Sequence, residues 1–261
     1  MIIKELLPFG AEIKNFSIKN DGEYLERLIW KYGFLLFKKL DTDINTILSF
    51  AKLLGNLDDS RPRCHPECKH IGLITGRVDK NGNPIGRLGK TSEVGWHSDN
   101  CIMKNPKPFI MFQGIEDVEH GTQEYLSNNL VLESLTYDEK NELKKAMGLF
   151  SFNQKVFQND LKDIVKAQSS YKKLIVKSPY GDEGLFYPWL FCDQIFGTSD
   201  NEYFYNLLKS KFENIEVYKH KWDIGDLFIT ESIFTQHRRP PTPDATSRLL
   251  YRVNCGTNYE W

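Results

Sequence analysis

No apolar run in this chain reads as a membrane span. The most apolar stretch, Leu28 to Phe37, is interrupted by Lys31 and falls far short of the roughly 20 residues a helix needs to cross a bilayer. Cysteine is also scarce. Five of them, an odd number at irregular spacing, exclude a disulfide framework and point to a reducing compartment. Neither sign of charge dominates: 34 basic residues stand against 35 acidic ones, so no bulk field draws nucleic acid to the surface. Internal repeats, low-complexity tracts and Ser/Gly/Pro-rich linkers are missing, and a single domain over residues 1–261 is expected. Met1-Ile2-Ile3-Lys4-Glu5 lacks the charged-then-apolar pattern of a signal peptide. These absences together lead to the expectation of a cytoplasmic protein without membrane or nucleic-acid partners. Homo-oligomerisation is compatible with the sequence, but no feature argues for it.

Aromatic residues, by contrast, are abundant at 13 %, with 17 Phe among them, which suits a β-rich core around a pocket. Leu25, Leu28 and Ile29 recur at helical spacing between Asp21 and Tyr32, with Gly33 as a stop; Phe34 to Phe37 then reads as a short buried strand. A second amphipathic helix is expected over Asp43 to Leu54. Asp58 to His70 has loop composition, Ile71 to Ile74 is strand-like, and Thr75 to Ser92 reads as a long, mobile excursion around the turn residues Asp79 to Pro84. After a strand over Phe109 to Ile115, Ser127 to Met147 fits a helical insert in two pieces joined at Thr136. The rest is β-dominated: Leu174–Lys177 and Leu185–Leu190 as a hairpin, a helix over Asn201 to Phe212, then strands at Val217–Trp222, Asp226–Thr230 and Ser247–Asn254. Helices first and many strands later predict an α+β chain built on a double-stranded β-helix (jelly roll), with flanking helices and a helical insert.

Trp96-His97-Ser98-Asp99 places two metal-ligand types two residues apart, and an extended segment points both to one face. A His-X-Asp pair with one distant His is the 2-His-1-carboxylate set that holds non-haem Fe(II) with open positions. The bland alternative is a surface His beside an Asp. Three histidines compete for the third position: His120, His220 and His237. Arg248 and Arg252, four apart on a predicted strand, share a face; inside a barrel two guanidinium groups are costly unless they meet anions, whereas on an exposed edge they need no partner. Cys64-His65-Pro66-Glu67-Cys68-Lys69-His70 superficially resembles a zinc cluster but lacks a second ligand pair at standard spacing. Arg61 and Arg63 beside it read either as surface charges or as contacts for an acidic substrate. Tyr187, Trp189 and Phe191 alternate as on one strand face, lining the core or a pocket.

With these residues in place, the chain resembles the taurine dioxygenase family of Fe(II)/2-oxoglutarate oxygenases. Trp96-His97-Ser98-Asp99, Gly225-Asp226-Leu227, His237 and Arg248-Leu249-Leu250-Tyr251-Arg252 carry the likeness, and Tyr218 through Arg252 is especially similar to the carbapenem synthase branch. In that family an Arg that clamps 2-oxoglutarate follows the second His by eleven residues, as Arg248 follows His237. Neither His120 nor His220 has an Arg in that register. The resemblance implies His97, Asp99 and His237 as Fe(II) ligands, Arg248 as partner of the 2-oxoglutarate C5 carboxylate, and Arg252 as a contact to an anionic group of the substrate. It further implies consumption of O2, release of succinate and CO2, and oxidation of a small anionic or amino-acid-like metabolite or natural-product intermediate. Hydroxylation is the expected outcome, with desaturation or epimerisation as alternatives within the family and a non-catalytic metal-binding sensor outside it. One departure stands out. Counting without gaps from Asp99, Glu124 occupies the place of a family Thr that helps hold 2-oxoglutarate, unless a small gap gives that role to Thr122. A carboxylate there is unfavourable unless it turns away or meets a cation.

Overall fold

The computed structural model describes residues 1–17, 22–60, 63–87, 93–119, 121–151, 169–242 and 247–261. The chain opens with the hairpin β1 (Ile2–Glu5) and β2 (Ala11–Lys14), followed by α1 (Gly22–Tyr32), β3 (Phe34–Phe37) and α2 (Ile44–Leu53). The helical spacing is the cause of α1, whose buried stripe is Leu25, Leu28 and Ile29. α2 starts where Asp43 accepts a hydrogen bond from the Asn45 N–H at 2.7 Å, satisfying a donor that the helix itself leaves open. Next come β4 (Cys64–His65), β5 (Cys68–Ile74), β6 (Val94–His97), β7 (Phe109–Glu116) and β8 (Thr122–Ser127). The helical insert is α3 (Asn128–Glu133) and α4 (Tyr137–Lys145), divided at Thr136 as expected, because Thr136 and Glu139 form a reciprocal capping box.

The remainder is β9 (Met147–Ser151), β10 (Ser169–Lys173), β11 (Ile175–Lys177), β12 (Glu183–Leu185), β13 (Cys192–Phe196), α5 (Asn201–Glu213), β14 (Tyr218–Lys221), β15 (Leu227–Glu231), β16 (Thr235–Arg239) and β17 (Leu249–Cys255). Among the described residues, a major sheet runs β1-β2-β3-β15-β7-β17-β5-β4 and a minor sheet β14-β8-β16-β6. Phe34, Phe112, Phe228 and Leu250 from the major sheet meet Tyr125 from the minor sheet and Trp222, the residue after β14, in one buried cluster. Tyr125 stacks on Phe228 with ring centroids 4.0 Å apart. Each fully buried side chain of this size contributes roughly 1.5–3 kcal/mol of transfer free energy, and this packing closes the two sheets into the expected jelly roll. The other face of the major sheet packs against α1 and α2.

Several local expectations change. β5 begins at Cys68 rather than Ile71, because Cys64–His65 turns back on it as a short hairpin. The excursion after Ile74 is anchored through Arg87: Asp79 accepts hydrogen bonds from the Asn81 and Asn83 N–H groups, and Arg87 bridges to Ile74. Residues 88–92 of that excursion lie outside the described set. Trp189–Phe191 is a 3-10 turn rather than strand, since Pro188 removes a ladder donor, and Tyr187 and Phe191 are buried in the core. No helix among the described residues is long and apolar enough to cross a membrane.

Candidate metal and co-substrate site

The site is built where β6 and β16 pair. His97 sits directly opposite His237 in the register, and the ladder shifts before Arg239 meets Val94. A bulge on β6 follows, and it lets Val94 and His97, three residues apart, face the same interior. Asp99 lies in the turn just after β6. One donor atom from each of His97, Asp99 and His237 lies within 4.8 Å of the others, close enough for one ion to touch all three. His97 Nδ1 is 2.7 Å from the Gly95 carbonyl, so the ring donates there and leaves Nε2 as the lone-pair donor.

Electrostatics sets the same protonation pattern. Burial, reinforced by His97, pushes the His237 imidazolium pKa down to about 3, and burial likewise lowers that of His97. Burial would raise Asp99, but the Arg252 guanidinium and the two imidazoles outweigh it and hold the carboxyl well below its usual range. Arg252 Nη2 donates to Asp99 Oδ2 at 2.6 Å. Two neutral imidazoles and a carboxylate are the forms in which these groups bind metal.

Beneath the ligands runs a hydrogen-bonded brace. Ser98 donates to the Thr235 carbonyl at 3.1 Å, and Thr235 donates to the Glu231 carboxylate at 2.6 Å. Glu231 also accepts from the Ile233 and Phe234 N–H groups. Burial nevertheless raises its pKa to about 7. In the window from about 4.5 to about 7 the folded chain therefore holds a proton that the unfolded chain has lost, so stability is full below that window and falls as pH rises through it. Glu231→Gln should flatten this slope. Urea midpoints near pH 5 and pH 8 should differ by the equivalent of roughly 2–3 kcal/mol more in the wild type than in the variant; equal differences would contradict the assignment.

The triad opens into a cavity of about 110 Å³ whose apolar wall is Ile74, Val94, Phe112 and Leu250. Its polar wall adds Gln123, Arg87, Arg239, Arg248 and Arg252. Arg248, Leu250 and Arg252 alternate into it from β17 and the residue before it. Arg248 is 3 % exposed, its Nε has no hydrogen-bond partner, and no described carboxylate pairs with it. Burial, with Arg239 adding repulsion, pushes its pKa down to about 10. A buried cation without a counter-charge is unfavourable by several kcal/mol, and a carboxylate guest supplies the missing partner. Gly121 makes room for it: a Cβ there would stand 2.9 Å from Arg248 Nη1 and 3.3 Å from Cδ. Gly121→Ala should therefore displace the guanidinium and weaken binding of a carboxylate guest at Arg248 by about tenfold, one lost charged hydrogen bond, with the unfolding temperature little changed. Calorimetric titration checks this.

A family model of the taurine catabolism dioxygenase TauD, TfdA family matches residues 3–254. The chain belongs to this family. It is 22 % identical to pentalenolactone F synthase of Streptomyces arenae, over 94 % of this chain and 91 % of the relative. Among solved structures it is similar to AAD-2 in complex with Mn(II) and N-oxalylglycine, with TM-score 0.76, 16 % identity, and 99 % and 98 % of the two chains covered. It is also similar to a taurine dioxygenase from Burkholderia xenovorans, with TM-score 0.74, 17 % identity, and 98 % and 89 % covered. These likenesses show the jelly-roll fold. As a member of the family the chain is an Fe(II)/2-oxoglutarate-dependent oxygenase, and O2 is its third reactant.

The dioxygenase brings together His97, Asp99, His237, Arg248 and Arg252, all of them lining one cavity. His237 is on a strand, β16, that its polar sequence Thr235-Gln236-His237-Arg238-Arg239 concealed. His220 is instead buried beside Asp226, at 3.2 Å, and His120 and Arg61 lie outside the described residues. The Glu124 departure resolves by strand alternation. Glu124 is paired with Arg238 in the β8–β16 register, and Arg238 Nη2 reaches its carboxylate at 2.6 Å while the guanidinium lies over Trp96. Neither Glu124 nor Thr122 lines the cavity; Gln123, one residue between them, does. Cys64 and Cys68 are free thiols, and among the described residues the triad alone meets the geometry of a metal cluster. Arg87, Arg239 and Gln123 had no distinguishing sequence signal, apart from Arg239 following His237 by two residues, which puts it on the same face.

Proposed function

We propose that His97, Asp99 and His237 hold Fe(II), that Arg248 binds the C5 carboxylate of 2-oxoglutarate, and that the enzyme hydroxylates a small anionic metabolite. The observation that carries this reading is the buried Arg248 guanidinium, with no carboxylate among the described residues paired to it and facing the same cavity as the triad. The AAD-2 complex supports it, because N-oxalylglycine carries the same oxalyl head and distal carboxylate as 2-oxoglutarate. When bound, the iron and co-substrate supply oxidation by O2 coupled to decarboxylation to succinate.

The chain's own residues do the positioning. His97 presents Nε2 because its Nδ1 is committed to the Gly95 carbonyl. Arg252 holds Asp99 as a carboxylate and in a fixed orientation. Ile74, Val94, Phe112 and Leu250 exclude water from the reacting volume. Arg252 has more N–H donors than its bond to Asp99 uses, and those left over can meet an anionic group of the substrate. The sensor alternative drew its support from Glu124, whose carboxylate is satisfied by Arg238.

Substrate-dependent succinate release from a metabolite pool, under Fe(II), ascorbate and O2, tests the reading. Mass spectrometry of the consumed compound should show a gain of one oxygen. Loss of two hydrogens, or no mass change, would replace hydroxylation by desaturation or epimerisation. No succinate release with any pool would remove the small-metabolite assignment.

A further inference from the structure

On the side of the minor sheet turned away from the cavity, one row of side chains takes a residue from each strand in spatial order. Lys219 on β14, Glu124 on β8 and Arg238 on β16 stand opposite one another in the register, and Trp96 on β6 closes the row. Arg238 Nε donates to Glu124 Oε2 at 2.7 Å, and Nη2 stands 2.6 Å from the same oxygen. Lys219 Nζ lies 3.6 Å from Oε1. The guanidinium carbon of Arg238 is 4.9 Å from the centre of the Trp96 ring. Glu124 and Trp96 are buried, and Arg238 is partly exposed. A planar guanidinium can grip a carboxylate along its edge while its face lies on an aromatic ring, which a rounded ammonium cannot do.

The row ends where the ladder between the two ligand strands is broken. His97 pairs with His237 and Val94 with Arg239, so Gly95 and Trp96 together stand opposite Arg238 alone. In such a bulge one residue has no ladder partner, and the backbone hydrogen bonds leave the local geometry less determined. The same bulge holds the Gly95 carbonyl that lies 2.7 Å from His97 Nδ1. The orientation of the His97 ring therefore depends on the shape of the bulge. Arg238 faces it across the strands, and its side chain seats on Trp96. Beyond the histidines, Ser98 ties the strands again through the Thr235 carbonyl. The histidine pair is thus fastened on one side by that bond and on the other by Arg238.

We propose that Arg238 is a positioning residue of the metal site: clipped between Glu124 and Trp96, it fixes the bulge of β6 and, through the Gly95 carbonyl, the ring of His97, so that Nε2 is presented to the metal. This rests on the reading of His97 as an Fe(II) ligand and adds what holds that ligand in place. It also gives the buried Glu124 carboxylate a task, the anchoring of Arg238 by charge-assisted hydrogen bonding. Loss of an outer-sphere partner costs a metal site 10–100-fold in affinity; Arg238 acts one contact further out, so the expected loss is about tenfold.

The double substitution Arg238→Met with Glu124→Gln tests it, because it removes the clip without stranding a buried charge. Isotopic labelling of the histidine ring nitrogens lets NMR read the ring directly in the metal-free chain. Wild type should show His97 as the single Nδ1–H tautomer, and the double variant a mixture of both tautomers. Mn(II) titration of the full chain without 2-oxoglutarate, followed by electron paramagnetic resonance, should give about tenfold weaker binding in the double variant. Arg238→Lys keeps a cation beside Glu124 but loses the planar face, and should recover part of that affinity. A matching unfolding temperature for variant and wild type shows that the clip acts on the ligand and not on the fold. If the double variant unfolds early, Arg238→Lys carries the test, with a loss of Mn(II) affinity smaller than tenfold but measurable at wild-type stability. A single His97 tautomer and wild-type Mn(II) affinity in the variants overturn the proposal. Absence of Mn(II) binding in wild type overturns the metal reading instead, and the tautomer measurement still decides whether Arg238 orients His97.

Discussion

Asp99→Ala should abolish turnover and weaken Fe(II) binding by on the order of a hundredfold or more, because loss of an outer-sphere partner alone costs a metal site 10–100-fold. Asp99 is the one anionic donor of the triad, and the two imidazoles left behind are neutral. The same substitution strands Arg252, whose Nη2 bonds Asp99 Oδ2 at 2.6 Å. Removing one partner of a largely buried ion pair leaves an uncompensated charge, so the metal-free variant should also lose up to about 3 kcal/mol of stability. Fe(II) should raise the unfolding temperature of the wild type and leave that of the variant unmoved, since only ligand bound to the folded state shifts the equilibrium. Full activity in Asp99→Ala would remove the site as drawn. Unchanged stability would instead show that Arg252 finds another anion.

Arg248→Met should have effects of opposite sign on stability and on co-substrate binding. Arg248 is buried, lacks a described counter-charge, and is lowered to about 10 by burial and Arg239. Exchanging an uncompensated buried ion for an apolar side chain of similar length is neutral or stabilising by about 1–4 kcal/mol. The metal-free variant should therefore unfold at the same temperature as wild type or higher. The loss of two charge-assisted hydrogen bonds to a carboxylate, roughly 1.5–3 kcal/mol each, should weaken 2-oxoglutarate by about a hundredfold or more. A purely structural Arg248 predicts the reverse, a destabilised variant with co-substrate affinity intact. Differential scanning fluorimetry and calorimetry on the same preparation decide between them.

Much of this site was legible because its chemistry requires particular residue types at particular intervals. His97 and Asp99 two apart were legible as an extended segment that turns both into one interior, and Arg248 eleven after His237 was legible through the family resemblance. Arg248, Leu250 and Arg252 alternate into the cavity as period-2 pairing requires. What was hidden came from tertiary pairing. β16 reads as polar loop, yet Thr235 through Arg239 is buried or half-buried because it lies between β8 and β6. Glu124 read as a misplaced carboxylate until its register opposite Arg238 turned it to the other face. Arg87 sits in a segment whose turn residues suggested mobility. Its place in the cavity wall depends on a backbone contact to β5 that needs no side-chain signature beyond Gly86. The aromatic alternation of Tyr187, Trp189 and Phe191 misled for the converse reason: Pro188 breaks the strand that the pattern implied.

The central claim is that one iron, held by His97, Asp99 and His237, and one 2-oxoglutarate, held by Arg248, occupy the same cavity. Anaerobic titration with Fe(II) and 2-oxoglutarate, followed in visible absorption, tests it most directly, because the weak charge-transfer band of a chelated complex requires both at once. The account predicts a band that saturates at one equivalent of iron per chain, disappears in Asp99→Ala, and needs far more 2-oxoglutarate in Arg248→Met. No band in the wild type at saturating co-substrate, or a band of equal strength in both variants, would contradict it.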